Sequence, residues 1–266
     1  MSNEHNALEV RGLSKTFNGG SQAKQVLKDV SLYVKTGEFV SLIGPSGSGK
    51  STLFHLIGGL EKPTAGEIFI GGRRIEPLER GLIAYMPQQA SLMPWLTVAG
   101  NIEMALEIAG IPREQARAAT REWLDKVGLG AEADAYPHAL SGGMQQRVSF
   151  LRALLSPQPL MCLDEPFGAL DALTRLHMQR WLLSLWEADR RSVLFITHSI
   201  EEALLLSDRI IVLSHAPAGV IREINVPFAR PREEELWTDQ LFNELKQEIY
   251  SLLQPVGAGG AIGGPL

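Results

Sequence analysis

The chain has 266 residues, 45% of them hydrophobic and 21% charged, an ordinary globular composition that excludes wholesale disorder. At about 150 residues per domain this is one large domain or two small ones. Its 25 Lys and Arg against 30 Asp and Glu give a formal charge of −5, without the basic footprint of a general nucleic-acid binder, and its single cysteine, Cys162, excludes an intrachain disulfide or a cysteine-rich metal site.

A lone cysteine points to a reducing compartment. No stretch reaches the roughly 18 uninterrupted apolar residues of a membrane span, and the most apolar window, 39–60, is broken by Ser, Gly and Lys50. Residues 1–10 are polar and lack the apolar core of a signal peptide. The expectation is a soluble cytoplasmic chain that reaches a membrane only through a partner.

In chain order, residues 8–34 read as a strand and hairpin, with a Gly-, Ser- and Gln-rich loop at 18–25. Residues 38–44 form a short apolar run ending in a Gly-rich turn, and 50–60 follow with helical spacing: strand, loop, helix. Short strands are predicted at 67–70 and 82–85. From 97 to about 155 the pattern is helical, with no convincing strand. Strands return at 160–163, 193–196 and 210–213, separated by helices at about 172–187 and 199–206. Such alternation implies a largely parallel sheet covered on both faces, into which the helical middle is inserted. Beyond Pro231, the residues Trp237, Leu241, Leu245, Ile249 and Leu252 or Leu253 predict an amphipathic helix over 232–254, packed on the core or on a sister subunit. Residues 255–266 are Gly-rich and read as a flexible tail.

Three strings carry chemistry. Gly44-Pro45-Ser46-Gly47-Ser48-Gly49-Lys50-Ser51-Thr52 fits G-x-x-x-x-G-K-[ST] between a predicted strand and a predicted helix, the context the motif requires. Its glycines let backbone N–H groups curl around phosphate, and the helix N-terminus adds partial positive charge. Lys50 would reach the β- and γ-phosphates, and the Ser51 hydroxyl suits Mg²⁺. This reads as nucleotide binding, without saying which ATPase or GTPase. Residues 160–165 are an apolar run ending in Asp164 and Glu165: one carboxylate for the Mg²⁺ shell and one to accept a proton from the attacking water, or, in isolation, a solvated Asp-Glu turn. Leu140-Ser141-Gly142-Gly143-Met144-Gln145-Gln146-Arg147 opens a second helix; Ser-Gly-Gly alone would be an ordinary cap, and the full string changes that reading.

With that string the sequence resembles the ATP-binding subunits of ABC transporters over about residues 8–230, with the motifs in the family's order. The resemblance implies an α/β P-loop NTPase core: a RecA-like mixed sheet with an antiparallel β-subdomain, in an ATP-binding domain of residues 1–231 with a helical subdomain at about 92–157 inserted. It implies that Phe17 stacks on adenine, where Tyr is commoner, and that Gln88 touches Mg²⁺ and the nucleophilic water. It makes Asp164 and Glu165 the Walker B pair, Asp171 the D-loop aspartate, and His198 the switch histidine at the γ-phosphate. Ser141, Gly142, Gly143, Gln145 and Asp171 are then expected to meet ATP held by a second ATPase subunit, in a head-to-tail pair whose closure moves membrane permease subunits.

The strings at 92–98, 164–175, 202–209 and 226–232 resemble the nitrate/sulfonate/taurine group of importers more narrowly. That implies ATP and Mg²⁺ as ligands, a solute-binding protein reached through the permease, no nucleic acid, and a peripheral place on the cytoplasmic face of the membrane. Exporter ATPases and non-transport ABC ATPases are the alternatives. Leu92, Met93 and Trp95, directly after Gln88, either line a groove for a permease helix or, in the case of Trp95, fill the core of the insertion.

Overall fold

The computed structural model describes residues 6–19, 22–232 and 234–254. In chain order the elements are β1 (Asn6–Gly19), β2 (Gln22–Lys35), β3 (Phe39–Ile43), α1 (Lys50–Ile57), β4 (Ala65–Ile70), β5 (Arg73–Arg74) and β6 (Ala84–Met86). There follow α2 (Val98–Ile108), α3 (Arg113–Lys126), α4 (Gly142–Leu154), β7 (Leu160–Asp164), α5 (Ala172–Asp189) and β8 (Ser192–Ile196). The chain closes with α6 (Ile200–Leu206), β9 (Arg209–Leu213), β10 (Val220–Asn225) and α7 (Gln240–Leu253).

The strands make two sheets: four antiparallel strands in the order β2-β1-β4-β5, and six in the order β10-β9-β3-β8-β7-β6. The second sheet is parallel except for β10, which runs antiparallel to β9. Its inner strands β3, β7, β8 and β9 are buried at every residue. Side chains alternate between faces. Phe39, Met161, Leu163, Val193 and Phe195 therefore pack with the helices α2 to α5. Val40, Leu42, Leu160, Cys162, Leu194 and Ile196 pack with α1 and the antiparallel sheet. A third cluster seats α6 and α7 on Ile43, Ile210 and Val212. Each fully buried aliphatic side chain contributes about 1.5–3 kcal/mol. Arg209, 4% exposed, crosses between the sheets: it bonds Glu38 at 2.9 Å, Glu223 at 2.8 Å and the Tyr33 carbonyl at 2.6 Å.

Several expectations need correction. Strand pairing continues into the stretch read as a loop: Thr16 pairs with Gln25 and Asn18 with Ala23, so composition misjudged residues that accept extended backbone readily. Gly20 and Ser21 lie outside the described residues, as do Glu233 and the Gly-rich tail at 255–266. The helix expected over 232–254 is two pieces, a 3-10 turn at Glu234–Thr238 and then α7, whose N-cap Asp239 accepts the Phe242 N–H at 3.0 Å. Its buried stripe is Phe242 and Ile249, with Leu245 and Leu252 beside them, and it packs on the same chain. Trp237 and Leu241 are exposed, because the turn at Asp239 resets the helical phase. The edge strands β5 and β10 went unread because β5 is two exposed arginines and β10 breaks its apolar residues with Arg222 and Glu223 on a largely exposed strand, as edges that resist pairing with other chains tend to be.

Candidate nucleotide site

The carboxyl ends of β3, β7 and β8 point the same way, so the loops that follow them meet. After β3 the chain turns through Gly44 to Gly49 into α1. Gly49 stands at φ 95, and a Cβ there would lie 2.6 Å from Val26 Cγ1, so only glycine lets the loop rest on β2. Lys50 is 9% exposed and donates from Nζ to the Gly44 and Pro45 carbonyls at 2.8 and 2.9 Å, holding the loop around its ammonium. Burial lowers its pKa, opposed by the charges of Glu165 and Asp164. The buried Ser48 hydroxyl has no hydrogen-bond partner, and a Cβ on Gly44 would come within 2.9 Å of it. Curled backbone, a buried cation and an unpartnered hydroxyl fit a phosphate chain.

The facing wall comes from β7. Asp164 is 2% exposed; burial raises its pKa, and a hydrogen bond with the Ser51 side chain pulls it back. Among the described residues no group of three or more His, Cys, Asp or Glu could hold a metal unaided. The Ser51 and Asp164 oxygens nevertheless fit Mg²⁺, a hard cation that takes few protein ligands and fills its shell with phosphate and water. Glu165 has a left-handed backbone, φ 48, and its N–H donates to the Ile196 carbonyl at 3.0 Å. Its Oε2 accepts Gln88 Nε2 at 2.9 Å and lies 3.5 Å from His198 Nδ1. Gln88, Glu165 and His198, scattered in sequence, thus meet at one carboxylate oxygen.

These groups and the loop from Gly44 to Thr52 surround an open cavity of 580 Å³. Lys24 and Val26 of β2 also line it; no sequence motif marks them, since they face the site only through the hairpin register that sets Lys24 opposite Phe17. Phe17 itself is exposed and is not among the residues that line the cavity; the Lys15 ammonium lies 4.6 Å from its ring centroid. A second cavity, of 400 Å³ between Trp123, Leu182 and Trp186, holds none of these groups.

The remaining expected site residues lie apart from the cavity. Ser141 caps α4, accepting the Met144 N–H at 3.3 Å, and is exposed together with Gly142. Gly143 is half-buried and backs onto Leu170. Gln145 is half-buried, and its Nε2 donates to the Pro137 and Leu140 carbonyls of its own chain at 2.9 and 3.3 Å. Its neighbour Gln146 turns toward the backbone of the loop after β7, donating to the Glu165 carbonyl at 3.0 Å and accepting the Ala169 N–H at 2.9 Å. Asp171 caps α5, and its bond to Thr174 lowers its pKa. Trp95 is 70% exposed, which removes the reading of it as core. Leu92 is half-buried against the helical core, and the Met93 N–H donates to Asn101 Oδ1 at 2.7 Å. Arg152 holds the same loop through the Ser91 and Ala90 carbonyls at 3.0 and 3.1 Å.

Residues 27–168, from β2 through the loop around Lys50 to the turn after Glu165, match the family model described as ABC transporter. The chain belongs to that family. Two curated relatives cover it nearly end to end. The formylaminopyrimidine import ATP-binding protein of Halalkalibacterium halodurans is 42% identical over 88% of this chain and 92% of its own. A nitrate import ATP-binding protein of Synechocystis is 39% identical over 93% and 95%. Among solved structures, a dimeric ATP-binding cassette in a post-hydrolysis state with ADP and Pi superposes with a TM-score of 0.76, at 35% identity over 84% of this chain and all of that one. The two sheets and the helices between β6 and β7 are thus the ABC cassette fold, and the protein is an ABC-type ATPase that binds ATP.

Proposed function

We propose that the chain is the ATP-hydrolysing subunit of an importer for a small solute, a nitrate- or sulfonate-type anion, and that it works in a head-to-tail pair with a second cassette beneath membrane permease subunits. The observation that carries the catalytic part is the convergence of Gln88, Glu165 and His198 across the cavity from Lys50. Lys50 and the loop amides bind the phosphates, and Ser51, Asp164 and Gln88 would hold Mg²⁺. That ion supplies charge neutralisation on the β- and γ-phosphates. Glu165 accepts the proton of the water that attacks the γ-phosphorus as the bond to the β-phosphate oxygen breaks. His198, beside Glu165, steadies the γ-phosphate across the cavity from Lys50. A cation needs the Gln88 amide oxygen, whereas its nitrogen now donates to Glu165, so Gln88 turns before the base can accept a proton.

The pairing is supported by what the single chain leaves outside its own cavity. Ser141 and Gly142 are exposed at the start of a 13-residue helix, a ready phosphate site for nucleotide on another copy, and Asp171 stands exposed at the start of α5, next to the Leu170 on which Gly143 rests. A permease is supported by the exposed Trp95, and a peripheral place on the cytoplasmic face of the membrane by that same partner. Among the described residues no helix is long and apolar enough to cross a membrane. The relatives import an anion and a heterocycle at similar identity, which agrees with a solute chosen by a separate binding protein that this subunit meets only through the permease.

Glu165→Gln tests the reading. The amide keeps shape but cannot take the proton, so steady-state hydrolysis should fall by at least about a hundredfold while ATP binding survives. With ATP the variant should accumulate as a dimer on size exclusion. Near wild-type turnover would remove Glu165 from the base role.

A further inference from the structure

Gln146 has no part in the chemistry proposed above, yet it is 4% exposed on α4, one helical turn after Gly142, and both ends of its carboxamide are used. Nε2 donates to the Glu165 carbonyl at 3.0 Å and Oε1 accepts the Ala169 N–H at 2.9 Å. One side chain thus brackets residues 165–169 from outside, while the Gly168 N–H bonds the Glu165 carbonyl at 3.1 Å from within. Glu165 is held in the left-handed region, φ 48, which a residue bearing a Cβ ordinarily leaves. Packing alone does not ask for an amide here, since methionine fills a similar volume. Two directed bonds to the backbone of one turn fix its orientation, and with it the direction of the Glu165 side chain.

We infer that Gln146 is the positioning residue of the general base: it locks the turn 165–169 so that Glu165 Oε2 meets Gln88 and His198, and it mounts that turn on the helix that begins at Ser141. The inference rests on Glu165 being the base. A displacement at the start of α4 is then delivered to the base of the same chain through one side chain.

Gln146→Met tests it. Misplacing a reacting group by about an ångström costs on the order of a hundredfold, so kcat should fall by about ten- to a hundredfold, with KM and the calorimetric Kd for ATP within about threefold of wild type. In the same protein without nucleotide, hydrogen exchange of the amides at 165–169 should speed up by about tenfold, more than at the remaining amides, while the melting temperature falls by no more than a few degrees. A side chain that merely fills space would move neither quantity. Gln146→Asn keeps both polar groups on an arm one methylene short and should fail in the same way; it decides the matter if the methionine variant does not fold. A folded variant with kcat within about twofold of wild type, or an effect confined to KM, overturns the inference. Glu165→Gln run in parallel separates the two claims. If that variant keeps its turnover, the base assignment falls; if it is dead while Gln146→Met runs at full rate, only the positioning role falls.

Discussion

Glu202 sits behind His198 on α6, 9% exposed, and accepts the Thr197 hydroxyl at 2.5 Å and Gln179 Nε2 at 2.9 Å. Burial raises its pKa, against the pull of the Thr197 bond, the nearby Arg175 and His198, and the Gln179 bond. A carboxyl whose folded pKa exceeds its unfolded one binds its proton more tightly when folded, so its contribution is full below the ordinary Glu range and lost as pH rises through the folded value. Glu202→Gln should therefore gain melting temperature relative to wild type as pH is raised from about 4 to about 8; a pH-independent difference by scanning calorimetry would contradict the burial cost. Lys50, Ser51, Asp164 and Glu165 were legible because their motifs are contiguous in sequence. Gln145 and Gln146 show where that legibility stops: the string offers two adjacent glutamines, and only the rotation of α4 against β7 decides which turns toward the base.

At the scale of elements, the inner strands were readable because strands buried on both faces read as unbroken apolar runs, whereas β5 and β10 lie at sheet edges and carry Arg73, Arg74, Arg222 and Glu223. The C-terminal segment shows a second limit. An apolar residue every fourth position was present, but the cap at Asp239 restarts the helix, so Phe242 replaces Trp237 and Leu241 at the start of the buried stripe while Ile249 stays in it. Urea denaturation distinguishes the two phases. Phe242→Ala should cost about 3–5 kcal/mol and Ile249→Ala about 2–5 kcal/mol. Trp237→Ala and Leu241→Ala should stay within about 0.5 kcal/mol. Equal losses at all four positions would contradict the observed packing.

For the whole molecule, the loop after Gln88 hangs from the helices, through Arg152 and Asn101, rather than from the sheet. Its side chains at Met93 and Trp95 can therefore be exchanged without unpicking its backbone. Replacing both with Ser should leave circular dichroism and ATP binding unchanged, yet weaken co-purification with the membrane subunits, since aromatic anchors typically carry more than about 2 kcal/mol. An unfolded double variant would show that the loop's fold depends on these side chains, and normal assembly would place the partner elsewhere.

The order of the six-stranded sheet also sets a width. β8 separates β3, which leads to Lys50, from β7, which ends at Asp164, so the two walls stand two strand spacings apart, about 9.5 Å. Had those strands been neighbours, their ends would stand one spacing apart, about 4.8 Å, and no strand would lie between them to carry a third group to the site. The intervening strand also delivers His198 to the middle of the opening. Backbone hydrogen bonds act here as a gauge block, fixing the clearance before any side chain at the site is chosen. Substitutions at Lys50, Glu165 or His198 should accordingly change what the gap does and leave its width alone.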